Sequence, residues 1–354
     1  MLNPDTWSVV HWPETQPPLL IVVVDTEAEF DWSQTGSRRA LGVKSMRRQS
    51  AAHRIFSRFG IRPTYVLDYP VSSQEEGYQP IRELLSADLC VIGAHLQPWD
   101  TPPILEELND EHSYPGNLPD GLERRKLLQL TQTIEDNLHV RPRIYKAGRY
   151  GVGRATSRVL VELGYDVDLS VLPGTDLRRF SGPDFRHCGA RPYWCGPDRR
   201  LFEIPLSVGF TGALARYAPV LHRLSLESPL VALHAPGVLA RLRLLDRVTL
   251  TPEGVTFAEL CRLTKALLRS KHRVFSFTYH SPSLAPGNTP YVRSEADLSA
   301  FLGRMEQFFE FFMGEIGGKA ATPFEVRELA RTSAHPVRNP VRDAEQRVIS
   351  GAGP

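Results

Sequence analysis

The sequence predicts an α/β fold with a mainly parallel sheet, closed or nearly closed into a barrel of about seven strands. Short apolar, β-branched segments alternate with amphipathic helical segments along most of the 354 residues. This number of strand segments suits a barrel better than an open, doubly wound sheet. No GxGxxG or GxxxxGK[ST] pattern follows the first apolar segment, which disfavours a nucleotide-binding open sheet.

The predicted strands are short apolar runs, and the first is the most distinctive. It reads PPLLIVVVD from Pro17 to Asp25 and is almost continuously apolar, as expected for a strand buried on both faces. The second strand is RPTYVLD, from Arg62 to Asp68. The later strand segments, in chain order, are 88–95, 141–148, 166–171, 200–207, 228–236 and 273–282.

Amphipathic segments between these strands predict the helices. Thr256, with Glu259 three residues later, is a capping-box signal for one of them. Ser294 is the predicted cap of a long closing helix. The helical segments are 44–60, 80–86, 122–139, 153–165, 256–272 and 294–318.

The chain is predicted to hold one barrel domain over residues 17–333, after an N-terminal extension over 1–16. Residues 172–200 are rich in proline, glycine and arginine and are interpreted as an excursion from the regular pattern. Residues 334–354 are polar and contain proline, and we expect them to form a flexible tail.

Composition excludes several classes of protein. The net charge of +2 gives no reason to expect a nucleic acid or a membrane surface as partner. No apolar run approaches the roughly 20 residues that cross a bilayer, and the first residues lack a signal-peptide pattern. The four cysteines include no CxxC pair, and a disulfide between Cys188 and Cys195 is disfavoured. We therefore expect a soluble, reduced, cytoplasmic protein of undefined oligomeric state.

Chemistry in such barrels collects at the carboxyl ends of the strands, and the first strand ends in acids. VDTEAEFDW brings together Asp25, Glu27, Glu29 and Asp31. Asp25 and Glu27 are two residues apart, so they point the same way in an extended chain. Two such carboxylates can divide the roles of metal ligand and general base, although loop acids in water or a helix cap are the simpler alternative.

The third and fourth strands end in further polar groups. In IGAHLQPWD, His95 and Gln97 share one side, and neutral imidazole is a common zinc ligand. RIYKAGRYG presents Lys146 and Arg149, either of which could orient a carboxylate or a substrate oxyanion. The alternatives are a histidine held by backbone groups and a basic turn facing solvent.

The last strand ends in FTYHSPSL, which provides His280 and Ser281, and the segment VALHAPG provides His234. A histidine at a strand end can act as a general acid for a leaving group. The strand ends thus carry, in chain order, acids, a histidine, a cation and a second histidine. This distribution fits metal-assisted hydrolysis. No GxSxG elbow supports a serine hydrolase.

Taken together, VDTEAEF, GAHLQPW, KAGRYG, EIP and FTYHSPSL resemble the polysaccharide deacetylases with NodB homology, carbohydrate esterase family 4, and especially a bacterial WalW-like branch. The resemblance extends roughly from Leu19 to Phe312. It implies a distorted (β/α) barrel and a divalent metal, often zinc, held by an Asp and two His. It also implies a hydrolase that removes acetyl groups from an N-acetylated sugar or polysaccharide precursor.

On this resemblance, Asp25 and Glu27 match the paired acids of the first motif. Which of them is the base and which the ligand stays open, and their order favours Asp25 as base. His95 matches the first metal-binding histidine. Gln97 stands where the branch has its second histidine, and Trp99 stands where the more typical family spacing has one. A glutamine oxygen suits zinc less well than imidazole.

The remaining roles follow from the later motifs. Lys146 or Arg149 matches the arginine that orients the base, and His280 matches the late histidine that acts as acid. Trp99, Tyr150 and Ser281 are the predicted substrate contacts. The aromatic residues near strand ends that could stack on a sugar are Trp32, Trp99, Tyr150, Tyr193, Trp194 and Tyr291.

Three functions remain open at this point. The first is a metal-dependent deacetylase acting on a carbohydrate. The second is a non-catalytic glycan-binding or assembly protein on the same barrel, with a metal site degraded at Gln97. The third is a hydrolase of a non-sugar amide.

Overall fold

A parallel sheet forms the centre of the computed structural model, which describes residues 3, 6–30, 32, 38, 41–119, 121–212 and 246–333. Asp31, the predicted strand at 228–236 with His234, and the predicted tail at 334–354 lie outside the described residues. In chain order the strands are β1 (Ser8–Val9), β2 (Leu19–Thr26), β3 (Thr64–Leu67), β4 (Val91–Leu96), β5 (Ile144–Ala147), β6 (Val167–Asp168), β7 (Tyr193–Cys195), β8 (Leu201–Glu203), β9 (Val208–Thr211), β10 (Asp246–Thr249), β11 (Val274–His280) and β12 (Lys319–Ala320).

Within these described ranges, seven strands run parallel in the order β11-β2-β3-β4-β5-β6-β8, and the two-residue β12 also pairs in parallel with β2. Antiparallel β7 and β1 extend the β8 edge, and β9 and β10 form a separate hairpin. The α/β class and the parallel sheet of the sequence prediction are confirmed. β1, β7 and the hairpin are not predicted, because each is short and lacks a continuous apolar run.

In the described part of the chain, single hydrogen bonds and no strand ladder join the segment after β8 to β11. Leu250 N donates to Ser207 O at 2.9 Å, and Thr278 N, on β11, donates to Leu250 O at 3.1 Å. Ser276 N donates to the Ser207 hydroxyl at 2.9 Å.

Helices cover the outside of the sheet. Among the described residues no helix is both long and apolar enough to span a bilayer. The helices are α1 (Gln49–Arg58), α2 (Tyr69–Ser73), α3 (Glu75–Ser86), α4 (Leu122–Leu138), α5 (Thr156–Glu162), α6 (Phe257–Arg269), α7 (Glu295–Glu310) and α8 (Pro323–Ser333).

Two predicted helix caps are confirmed, and one helix begins earlier than predicted. Thr256 and Ser294 each form a complete capping box at the start of α6 and α7, as predicted. α3 begins before the predicted segment and contains Pro80, because Glu75 and Glu76 occupy its first turn, where the helix dipole favours acids. The four cysteines are unpaired, as expected.

Alternation along β2 separates two apolar layers. Leu20, Val22 and Val24 pack in the cluster that includes the helices. Leu19, Ile21 and Val23 pack in a second cluster, with inward residues of β3, β5, β6, β8 and β11 and with two residues of α8. This second cluster fills the barrel, and the period of two makes Asp25 the next inward residue.

A buried lysine fixes the loop after β4 that forms one side of the barrel mouth. Lys126, on α4, is fully buried and donates to Pro98 O at 2.9 Å and to Thr101 O at 2.5 Å. Its Nζ also lies 3.1 Å from Glu106 Oε2, and that carboxylate is almost fully buried. One ammonium group therefore neutralises a buried acid and holds two carbonyls of the loop.

Replacing Lys126 by alanine is expected to destabilise the protein by about 3 kcal/mol, because Glu106 loses its buried partner and keeps only the half-exposed Arg38, and two loop carbonyls lose their donor. The free energy of unfolding, measured by urea denaturation, checks this. The matched control is Arg158→Ala, which breaks an exposed ion pair with Glu162 at 3.8 Å and should change the value by less than about 1 kcal/mol. Equal effects of the two substitutions would contradict the prediction.

Candidate functional site

A cleft of about 470 Å³ opens at the carboxyl ends of the parallel strands. Every residue predicted as catalytic or metal-binding lines it, and so do Trp99 and Tyr150. The other lining residues are Phe30, Trp32, Tyr114, Ala147, Leu177, Phe180 and Tyr291.

At the floor of the cleft, Asp25 forms a buried ion pair with Lys146. Lys146 Nζ lies 2.6 Å from both carboxylate oxygens and donates to Thr278 Oγ1 at 3.2 Å. Burial raises the pKa of Asp25, but the positive charge of Lys146, supported by His280, outweighs it and leaves the pKa below its usual value. Asp25 is therefore an ionised carboxylate that can accept a proton.

His280 faces Asp25 and is oriented by a second carboxylate. Its Nε2 lies 3.6 Å from Asp25 Oδ2, and its Nδ1 lies 2.8 Å from Glu253 Oε2. Burial lowers the pKa of His280, but the charge and hydrogen bond of Glu253, with smaller contributions from Glu27 and Asp25, raise it to about 9. Its usual value is 6.5, so the imidazolium is present at neutral pH. The stability that this shift contributes is complete below that usual value and is lost as the pH rises toward 9.

Glu253 is a charged residue of the candidate site that sequence analysis missed. It lies in a turn after β10, is 7% exposed, and also accepts hydrogen bonds from His280 N and the Ser283 hydroxyl. Its local sequence, TPEGV, resembles any solvated turn. Only the hairpin geometry brings it to His280, so no local signal could have found it.

Glu27, His95 and Gln97 form a second group in the same cleft. Gln97 Nε2 lies 3.0 Å from Glu27 Oε2 and 3.3 Å from His95 Nε2. Glu27 Oε2 and His95 Nε2 are 3.5 Å apart. His95 Nδ1 lies 3.0 Å from Lys146 O. A carbonyl only accepts, so Nδ1 has the hydrogen and Nε2 presents a lone pair to the group.

This triangle fits a divalent cation in its dimensions. Ligands around a tetrahedral or octahedral ion at about 2.1 Å lie about 3.0–3.4 Å from one another. Glu27 Oε1 and Gln97 Oε1 are buried without a hydrogen-bond partner. Turning the Gln97 amide over keeps its shape and directs its oxygen to the other two corners. No group of three or more His, Cys, Asp or Glu residues in the described ranges is placed to hold a metal, so an ion here would need the amide oxygen as its third ligand.

Backbone contacts hold Glu27 in position. Glu27 N donates to Ser281 Oγ at 3.1 Å, and Ala28 N donates to Asp68 Oδ2 at 2.6 Å. Ser281, a predicted substrate contact, is fully buried and does not line the cleft. Its hydroxyl supports Glu27 from behind, because the chain turns into a short helix directly after His280.

Of the two cations predicted at the end of β5, only Lys146 contacts Asp25. Arg149 points to another part of the cleft, where Nη1 donates to Ser113 Oγ at 2.7 Å and Nη2 to Tyr114 OH at 3.2 Å.

Aromatic rings form the walls of the cleft. Trp32 stacks on Phe30 with ring centroids 5.3 Å apart and lies edge-on to His280 at 4.7 Å. Trp99 and Tyr291 extend this wall through edge contacts with Phe30 and Trp32. The cleft therefore offers flat apolar surfaces beside its charged floor.

Two aromatic residues considered for sugar stacking lie elsewhere. Tyr193 is buried and stacks on Trp7 at 4.1 Å, and Trp194 contacts Phe202. Neither lines the cleft, because both belong to β7 at the edge of the sheet.

No protein-family model and no curated protein matches the sequence significantly. Solved structures do resemble it. A Mycobacterium smegmatis protein described as a polysaccharide deacetylase has a TM-score of 0.51 at 18% identity, over 94% of this chain and 96% of that one. A Pseudomonas aeruginosa PAO1 protein described in the same way has a TM-score of 0.52 at 13% identity, over 94% and 96%. The Puue allantoinase has a TM-score of 0.51 at 14% identity, over 94% and 95%.

At these identities the likeness establishes the fold, and the narrower WalW-like branch stays a prediction. The chain has the NodB-type (β/α) barrel fold of the polysaccharide deacetylases, as its sequence motifs predict.

Proposed function

We propose that the protein is a metal-dependent hydrolase that removes an acetyl group from an N-acetylated sugar or polysaccharide precursor. One observation supports this most strongly. An ionised carboxylate, Asp25, and a protonated imidazole, His280, face each other at 3.6 Å, beside a triangle of ligand atoms in an aromatic cleft. Hydrolysis of an amide needs this set: a base for water, an acid for the leaving nitrogen and an electrophile for the carbonyl.

A divalent ion held by Glu27, His95 and the Gln97 oxygen would polarise the acyl carbonyl and make water a better nucleophile. Asp25 accepts the proton that the water loses as its oxygen attacks the carbonyl carbon. Lys146 holds that carboxylate ionised and in place before the reaction. These residues account for formation of the carbon–oxygen bond.

Breaking the carbon–nitrogen bond falls to His280. Its Nδ1 is held by Glu253, so the Nε2–H faces the cleft and can protonate the departing nitrogen. The products are acetate and a free amine. The flat walls at Trp32, Trp99 and Tyr150 suit the apolar faces of a sugar ring.

We expect the purified protein, supplied with Zn²⁺, Co²⁺ or Mn²⁺, to release acetate from N-acetylated sugars, and a chelator to abolish the release. Asp25→Asn removes the base and should lower kcat by about 10²–10⁴-fold. Enzymatic acetate measurement across a panel of N-acetylated mono- and oligosaccharides checks this. Absence of acetate with every ion and substrate would refute the proposal.

A second function, non-catalytic glycan binding, is favoured by one contact. As oriented, the Gln97 amide nitrogen donates toward both Glu27 and His95, which closes the triangle without any ion. A barrel with this arrangement could still bind a sugar between its aromatic walls.

The substitution Gln97→His separates these two functions. It should raise Zn²⁺ affinity at least about tenfold, because imidazole is a better zinc ligand than an amide oxygen. Calorimetric titration with Zn²⁺ measures it, with Gln97→Ala as control, in which affinity should fall. If only Gln97→His releases acetate, the native protein is a binding protein. If the native protein already does so, it is an enzyme.

Glu253→Gln should lower the pKa of His280 from about 9, since the largest charge that raises it is lost while burial stays. The alkaline limb of the pH–rate profile should move down with it, because the acid must be protonated. NMR titration of the His280 ring measures the pKa independently of activity. The control is Ser283→Ala, which removes one hydrogen bond to Glu253 but keeps the Glu253 carboxylate. It should shift the pKa of His280 little.

A further inference from the structure

The guanidinium group of Arg149 lines the cleft without a negatively charged partner. Its hydrogen bonds go to two neutral oxygens, those of Ser113 and Tyr114, and its carbon Cζ lies 4.6 Å from the centroid of the Tyr114 ring. No carboxylate in the described ranges forms an ion pair with it. Two of its five N–H groups are used, so three remain for a ligand.

The other principal charges of the cleft are already matched. Asp25 is paired with Lys146, and Glu253 is paired with His280. Glu27 belongs to the triangle proposed for the ion. Arg149 therefore leaves a local positive charge on one side of the cleft, in a half-buried position where water screens it poorly.

The backbone holds this side chain in a strained turn. Arg149 and Tyr150 have φ angles of +52° and +61°, a left-handed region that residues with a Cβ rarely adopt. Gly148 precedes them, where a Cβ would come within 2.1 Å of Gln97 Oε1. Such strain concentrates where a side chain is positioned for a ligand.

Tyr114 adds a donor beside the guanidinium. Its ring is buried, and its hydroxyl accepts a hydrogen bond from Arg149 Nη2. Burial raises the pKa of Tyr114 against the opposing effect of Arg149, so the hydroxyl keeps its hydrogen. The Ser113 hydroxyl already donates its hydrogen to Asp110 O at 2.6 Å, so its role is to orient Arg149.

We propose that Arg149 and Tyr114 form a subsite for an oxyanion, so that the substrate is an acidic N-acyl sugar with a carboxylate or phosphate group. The planar guanidinium matches both groups in a two-pronged geometry. Lys146 lies on β5 and Arg149 directly follows it, and both line the cleft with Asp25, so a sugar with its acyl group at Asp25 would have its anionic group at Arg149. This substrate class rests on the proposed hydrolase function, but the subsite itself does not.

Binding is measured first, by calorimetry on the full chain in EDTA, with glucose, glucose 6-phosphate and glucuronate. None of these has an acyl group, so the measurement is independent of hydrolysis. The native protein should bind at least one anion about tenfold more tightly than glucose. The anion that depends on Arg149 identifies the group as phosphate or carboxylate.

Arg149→Asn should remove this preference, and asparagine tolerates the left-handed backbone, so the fold is kept. Arg149→Lys keeps the positive charge but not the planar guanidinium, and its preference for the anion over glucose should be intermediate. Tyr114→Phe should lose less of this preference than Arg149→Asn. The control is Arg125→Asn, which removes the same positive charge at an exposed position of α4. This variant should bind the three sugars as the native protein does. Equal binding of glucose and both anions, or anion binding unchanged in Arg149→Asn, overturns the subsite.

Turnover is measured second, with N-acetylglucosamine, its 6-phosphate and N-acetylmuramate. The ratio of kcat/KM for the anionic substrate over the neutral one should fall about tenfold in Arg149→Asn. If Arg149-dependent binding is found but no substrate releases acetate, the subsite stands and the proposed hydrolysis fails. If acetate is released with no preference for anionic sugars, the hydrolase stands and the subsite fails.

Discussion

The buried ion pair between Asp25 and Lys146 is the contact on which the site depends. Each charge loses several kcal/mol of solvation on burial, and only close geometry compensates for that loss. Lys146 Nζ lies 2.6 Å from both Asp25 oxygens and has Thr278 as a further partner. β2 and β5 are separated in the sheet by two other strands, so this contact crosses the barrel and requires its curvature.

The same pair sets the state of the neighbouring groups. Lys146 presents its carbonyl to His95, which fixes the tautomer that leaves a lone pair on Nε2. Its ammonium lowers the pKa of Asp25, whereas Glu253 raises that of His280. The ionised carboxylate of Asp25 and the protonated imidazole of His280 thus lie 3.6 Å apart. A different partner stabilises the charge of each group.

Strand periodicity accounts for what the sequence could predict. Leu19, Ile21 and Val23 fill the barrel, and the same period places Asp25 at its mouth, so apolar patterning alone locates the floor of the cleft. The choice between Lys146 and Arg149 could not be predicted, because the chain turns with positive φ angles after β5 and sends the second cation elsewhere. The place of Glu253 in the site could not be predicted either. Glu253 follows the β9–β10 hairpin, whose two strands are distant in sequence, and only this pairing brings it to His280.

The arrangement of charge favours catalysis over simple recognition. A protein that only binds a neutral sugar needs aromatic faces and neutral hydrogen bonds, which this cleft already has at Trp32 and Trp99. Two buried pairs, Asp25 with Lys146 and Glu253 with His280, carry a desolvation cost that recognition of a neutral sugar does not require. The amide hydrolysis proposed for this cleft requires both pairs, one as base and one as acid. Gln97 contacts Glu27 and His95 and belongs to neither of these two pairs.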